Sequence, residues 1–164
     1  MTARAPVHDT FALERRLAFA PQTVFAAWSS VEAKSRWFVG PTGWELEHRE
    51  LDFQVGGREV LTGRRSDGKV SHFDSRYYEI VPDQRIVYVY DMYTDDIRLS
   101  LSLVTVEFRA IVERTRMIEG TRMVEGTRLV VTEQGVFFGD KQDARNREHG
   151  TGILLNQLER ALAG

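Results

Sequence analysis

From Trp44 to Val136 the chain alternates short β-forming runs with compact turns, and this spacing restricts its fold more than any other feature. The runs "WELEHRELDFQVG", "GREVLTGRR", "KVSHFDSRYYEIV", "RIVYVYDMY" and "LSLVTVEFRAIVE" carry β-branched or aromatic residues in alternation. Between them stand "VGG", "SDGK" and "PDQR", each a turn signal. Parallel neighbours need a crossover of a dozen or more residues, usually a helix, and these joints are too short to hold one. The runs must therefore pair as hairpins in an antiparallel meander.

The two ends follow other periods. "HDTFALERRLAFA" spaces Phe11, Leu13, Leu17 and Phe19 as a half-buried first strand, which Pro21 stops. In "PQTVFAAWSSVEAKSRWF" the residues Val24, Ala27, Trp28 and Val31 fall on one side at helical spacing, with Pro21 suited to a first turn. Two short helices divided near Ser29 and Ser30 are expected. From about Lys141 onward Ala144, Arg147, Thr151, Leu154, Leu158 and Leu162 share one helical face, so a long helix closes the chain. The expected fold is α+β: a curved antiparallel sheet of about seven strands wrapped around the long C-terminal helix, with two short helices after strand 1.

At 164 residues, 42% hydrophobic and 28% charged, the chain suits one domain, 1–164, with its own core. A net charge of -2 gives no general attraction to phosphate backbones or anionic lipid, so neither nucleic acid nor membrane is an expected partner. Cysteine is absent, which removes disulfides, thiol nucleophiles and thiolate metal sites together. No leading apolar run resembles a signal peptide, and a cytoplasmic location is expected. His8, His48, His72 and His149 are scattered without paired ligand spacing, so neither metal nor cofactor is expected. No G-x-S-x-G elbow or phosphate-binding glycine loop is present.

The segments "VFAAWSSVEAKSRWF", "LDFQVGG", "YYEIVPDQRIVYVYDM", "LVTVEF", "GTRLVVTEQGVFF" and "REHGTGILLNQLERAL" cover nearly the whole chain. In this order they resemble the START-like, helix-grip superfamily called SRPBCC, in the branch homologous to the activator of the heat-shock-90 chaperone ATPase. The resemblance implies a cavity between curved sheet and long helix that takes a small apolar or amphipathic ligand. It implies no shared catalytic set. Some relatives are enzymes of cyclase, aromatase or hydrolase type, which makes catalysis in the same cavity one alternative, and a chaperone-cofactor-like interaction domain is another. The separate N-terminal domain of full-length eukaryotic activators has no counterpart in this sequence, so chaperone stimulation is not expected.

Residues for such a cavity are legible. Strand "RIVYVYDM" throws Ile86, Tyr88, Tyr90 and Met92 to one face, while the resemblance places Trp37, Phe38 and Trp44 near the entrance. Phe137, Gly150 and Leu154 complete the expected ligand-binding set. Gly150 and Gly152 sit inside the closing helix, where each costs up to ~1 kcal/mol relative to alanine. Either the helix approaches the sheet closely there, or a ligand occupies the room. Glu133 shares a strand face with Leu129 and Val131, so its carboxylate should reach the cavity edge, either as an acid or base or in a salt bridge with an arginine of the helix. Glu133 with His149 or His72 is the one catalytic pair that can be nominated.

One feature has no place in this scheme. "RTRMIEGTRMVEGTRLVV" repeats a six-residue phrase three times, and the family's short turn makes Arg114 to Glu125 look like a twelve-residue duplication. Placing a turn at Glu119 and Gly120 sets Ile118 opposite Thr121 and Arg114 opposite Glu125. Six residues are then added to each strand, an even number that leaves every side-chain face unchanged. At ~3.4 Å per residue a hairpin spanning about 109–130 projects roughly 20 Å further. Either the duplication, natural or engineered, is passive, or Met117, Ile118, Met123 and Val124 on such an arm join a second copy in a homodimer.

Overall fold

The computed structural model describes residues 3–164, with backbone alone at positions 113 and 115. Its elements run β1 (Val7–Leu17), α1 (Pro21–Ala26), α2 (Val31–Lys34), β2 (Glu45–Leu51), β3 (Arg58–Arg64), β4 (Val70–Val81), β5 (Arg85–Thr94), β6 (Ile97–Met117), β7 (Gly120–Phe137) and α3 (Lys141–Ala163). The strands form one sheet in the order β1-β7-β6-β5-β4-β3-β2, antiparallel throughout. This is the expected α+β helix-grip architecture. Register shifts at Leu46/His48, Tyr77/Glu79 and Met92/Tyr93 add local twist, which helps the sheet curl toward α3.

Local sequence sets each helix end. Pro21 occupies the first turn of α1, where its missing N–H costs nothing. Ser30 caps α2 by accepting from the Ala33 amide at 3.1 Å, and Asp140 forms a reciprocal capping box with Asp143 at the start of α3. The break at Ser29 and Ser30 turns the chain enough to leave Val31 exposed, so it does not share the buried face of Val24, Ala27 and Trp28 as its spacing predicts. On α3 the most deeply buried side chains are Ala144, Leu155 and Leu158. Aromatic edges fill the core beneath α1 and α2: Phe25 and Trp28 both pack on Phe108, with ring centroids 5.3 and 5.2 Å apart.

The β6–β7 reversal lies one residue earlier than the sequence suggests. Met117 pairs with Gly120, so Ile118 and Glu119 form the turn and Arg114 faces Met123 rather than Glu125. The physical reason is φ. Type I′ geometry asks for positive φ at both central residues. Here neither Ile118 nor Glu119 has it, and Gly120 alone takes φ 122 as the return strand begins. Moving the turn centre by one residue shifts the partner by two, so Phe108 opposes Leu129 and both stay buried. Alternation along the arm puts Met123 on the same face as Arg114, and Met117 with Val124 on the other. The apolar residues of the arm therefore do not form one seam.

Candidate functional site

A cavity of about 680 Å³ lies between α3 and the concave face of the sheet. All nine residues nominated for it from the sequence are on its wall: Trp37, Phe38, Trp44, Tyr88, Tyr90, Met92, Phe137, Gly150 and Leu154. Strand alternation explains the sheet's share, because Tyr88, Tyr90 and Met92 point to the side that β5 turns toward the helix. Phe73 on β4 joins them, with its ring 4.8 Å from Tyr90 and 5.1 Å from Phe38.

Trp44 owes its place to two glycines. A Cβ on Gly40 or Gly63 would overlap its indole, so the ring lies directly on bare backbone. Its Nε1 donates to Ser71 Oγ at 3.2 Å, which anchors the polar edge of an otherwise apolar wall. Of the two helix glycines, Gly150 lies on the opposite wall, while Gly152 borders a separate groove beside Arg15. A Cβ on Gly150 would meet nothing within 4 Å, so close helix–sheet approach is not what this glycine serves. One on Gly152 would come 3.7 Å from Arg15 of β1.

The polar side of the cavity centres on Glu133, only 3% exposed. Its Oε2 accepts from the hydroxyls of Tyr90 and Ser102, both at 2.8 Å, and from Arg147 Nη1 at 3.3 Å. Arg147 also donates to Tyr90 at 2.7 Å and, through Nη2, to Ser100 at 2.7 Å. Its guanidinium lies 5.3 Å from the Phe137 ring centroid. Burial works against the Arg147 charge, but Tyr90 and Glu133 outweigh it and hold its pKa above the usual arginine value. Burial, reinforced by Glu133, raises the Tyr90 phenol far beyond its ordinary range. Tyr88 is raised in the same way, with Tyr90 and then Glu133 adding to burial.

The structure thus joins Glu133 to a helix arginine and to neither histidine. His72 alternates away from Phe73 and the cavity, and its Nδ1 lies 2.7 Å from Thr62 Oγ1. His149 is exposed and borders a shallow groove beside Arg15 and Gly152. Both are one position removed from cavity residues, Phe73 and Gly150, and that single step sends each side chain elsewhere. The nominated catalytic pair is not assembled. Among the described residues no group of three His, Asp or Glu side chains could hold a metal, and no helix is long and apolar enough to cross a membrane.

A second buried ionic group lies outside the residues that the sequence singles out. Lys34 Nζ, at the end of α2, lies 2.5 Å from Glu59 Oε1 on β3, and the Tyr77 hydroxyl donates to the same oxygen at 2.8 Å. The ammonium also stands 4.8 Å from the Phe38 ring centroid. Burial pulls the Lys34 pKa down, and Glu59 pushes back against that. Two signals pointed here: Glu59 alternates with the inward residues Leu61 and Gly63, and Lys34 precedes the buried Trp37 by one helical turn.

The family model described as Activator of Hsp90 ATPase homolog 1-like protein matches residues 18–163. No curated protein matches the chain. Among solved structures, an uncharacterized protein from Rhizobium leguminosarum is similar at 37% identity and a TM-score of 0.83, covering 99% of each chain. A protein from Rhizobium loti is 36% identical with a TM-score of 0.79, covering 96% of this chain and 99% of that one. The AHSA1 protein of Silicibacter pomeroyi shows 25% identity and a TM-score of 0.69, over 94% and 98% of the two chains. Strand order, closing helix and a match along most of the sequence agree, and the chain belongs to the family of Activator of Hsp90 ATPase homolog 1-like proteins.

Proposed function

We propose that this protein binds a small, largely apolar or aromatic molecule in the cavity between α3 and the sheet. The observation that carries this reading is the open space at Gly150. A glycine within a long helix gives up ~1 kcal/mol relative to alanine, yet no neighbour here excludes a larger side chain. A need for room inside the cavity accounts for it. The volume of about 680 Å³ falls within the range of small-molecule sites, and the walls combine aromatic and aliphatic side chains with polar groups, among them the buried cluster at Glu133.

The test is Gly150→Leu. Its Cβ has space, so the helix should gain up to ~1 kcal/mol while the leucine enters the void. Titration with the neutral fluorophore N-phenyl-1-naphthylamine should give a saturable rise in emission with the unsubstituted protein. The variant should bind at least about tenfold more weakly, a change of ~1.4 kcal/mol, while its urea midpoint is unchanged or higher. A variant that binds the fluorophore as well as the parent removes the reading.

A further inference from the structure

Two polar atoms on the cavity wall have no hydrogen-bond partner among the described residues. Glu133 accepts every one of its hydrogen bonds through Oε2, which leaves Oε1 without a donor among the described residues. Tyr88 makes ring contacts with Tyr77 and Tyr90, but its hydroxyl has no hydrogen bond among the described residues. Neither atom is sealed from solvent. The shielded, unpartnered side-chain atoms among the described residues are Arg49 Nε, Ser75 Oγ and Gln157 Oε1. Both Glu133 and Tyr88 line the cavity, so Oε1 and the Tyr88 hydroxyl open onto it.

The charges of this corner are already matched. Arg147 offsets Glu133, with Ser100, Ser102 and Tyr90 completing the network. A cation at Oε1 would lie beside the Arg147 guanidinium, and an anion would face a carboxylate oxygen, so both are disfavoured in a poorly solvated site. A neutral hydroxyl meets neither obstacle. It donates one hydrogen and accepts another, the complement of a free carboxylate oxygen and a free phenol whose residues stand in one cross-strand row, Tyr88 and Glu133 each pairing with Val104.

Building on the cavity reading above, we infer that Glu133 Oε1 and the Tyr88 hydroxyl anchor the hydroxyl group of a neutral aromatic or alicyclic alcohol or phenol. Its hydrocarbon body lies among Phe73, Tyr90, Met92 and Leu154. Glu133 then serves recognition, with its position fixed by Arg147, Tyr90 and Ser102.

Equilibrium dialysis with three probes of one ring system tests this at pH 7. 2-Naphthol has the hydroxyl, 2-methoxynaphthalene keeps the oxygen but not the donor, and 2-naphthoate is an anion. 2-Naphthol should bind at least about tenfold more tightly than 2-methoxynaphthalene, the worth of one hydrogen bond to a charged acceptor. 2-Naphthoate should bind no better than the ether. In Glu133→Gln the preference for the alcohol should shrink to roughly threefold or less, since an amide oxygen is a weaker acceptor, while binding of the ether persists. The probe series on the unsubstituted protein decides the matter even if that variant fails to fold. Equal binding of all three probes, or a preference for the ether or the anion, overturns the hydroxyl anchor and leaves the cavity reading standing. Binding of none of them overturns both.

Discussion

Replacing Lys34 with methionine should be among the most damaging single changes available in this chain. The Lys34 side chain is 4% exposed and that of Glu59 2%, with 2.5 Å between Nζ and Oε1. Methionine fills much of the lysine stem's volume, so little packing is lost and the effect isolates the charge. Glu59 would keep one donor, the Tyr77 hydroxyl at 2.8 Å, against the cost of a buried carboxylate. Removing one partner of a buried pair typically costs about 3–5 kcal/mol, a large share of the ~5–15 kcal/mol that holds a domain together. With a urea slope of ~2 kcal/mol/M the midpoint should fall by about 1.5–2.5 M. Lys34→Met with Glu59→Leu should recover most of that loss, short of ~1–3 kcal/mol for the orphaned Tyr77 hydroxyl, and adding Tyr77→Phe should return the remainder. Urea unfolding of these three variants and of Glu59→Leu alone, followed by tryptophan fluorescence and far-UV circular dichroism, gives the values needed. The reasoning fails if the single variant loses less than ~1 kcal/mol, or if the Lys34 and Glu59 effects add within ~0.5 kcal/mol.

Alkaline pH should expose the buried phenols. Burial holds Tyr77, Tyr88 and Tyr90 protonated well past the ordinary value of 10.0, so above that pH the folded chain carries more protons than the unfolded one. Stability must then fall as pH rises above about 10, and Lys34, lowered by burial and so opposite in sign, is one group against three. Absorbance at about 295 nm should show these three phenols ionising only as the circular dichroism signal collapses; full ionisation in a folded chain contradicts this. Deleting residues 114–125 removes six residues from each strand of the arm and preserves every face. The urea midpoint should stay within ~0.5 kcal/mol of the parent in free energy. Because Met117 and Val124 lie opposite to Met123, light scattering should give the mass of one chain before and after deletion; a doubled mass lost on deletion would make the arm a dimer contact.

Much of the fold is legible in the sequence because it follows from short-range periods. Alternation in "RIVYVYDM" set the inward face of β5, the serines at 29 and 30 divided the first helices, and the last helix begins at Lys141 where its spacing changes. Face is also why Glu133 could be placed beside Leu129 and Val131, all three buried. Partnership is another matter. The turn falls at Ile118 and Glu119, one residue before the place that Gly120 suggests, because a type I′ turn centred on Glu119 and Gly120 would need positive φ at Glu119 as well.

The sequence by itself determined which side chains point toward the helix, since a period of two or 3.6 is written locally into the backbone. Only the tertiary structure decided which of them meet. Lys34 finds Glu59 and Arg147 finds Tyr90 across separations that sheet curvature and helix docking set jointly. Whether a buried carboxylate is left with a free oxygen depends on ångström-scale distances among several elements, a quantity that no single stretch of chain encodes.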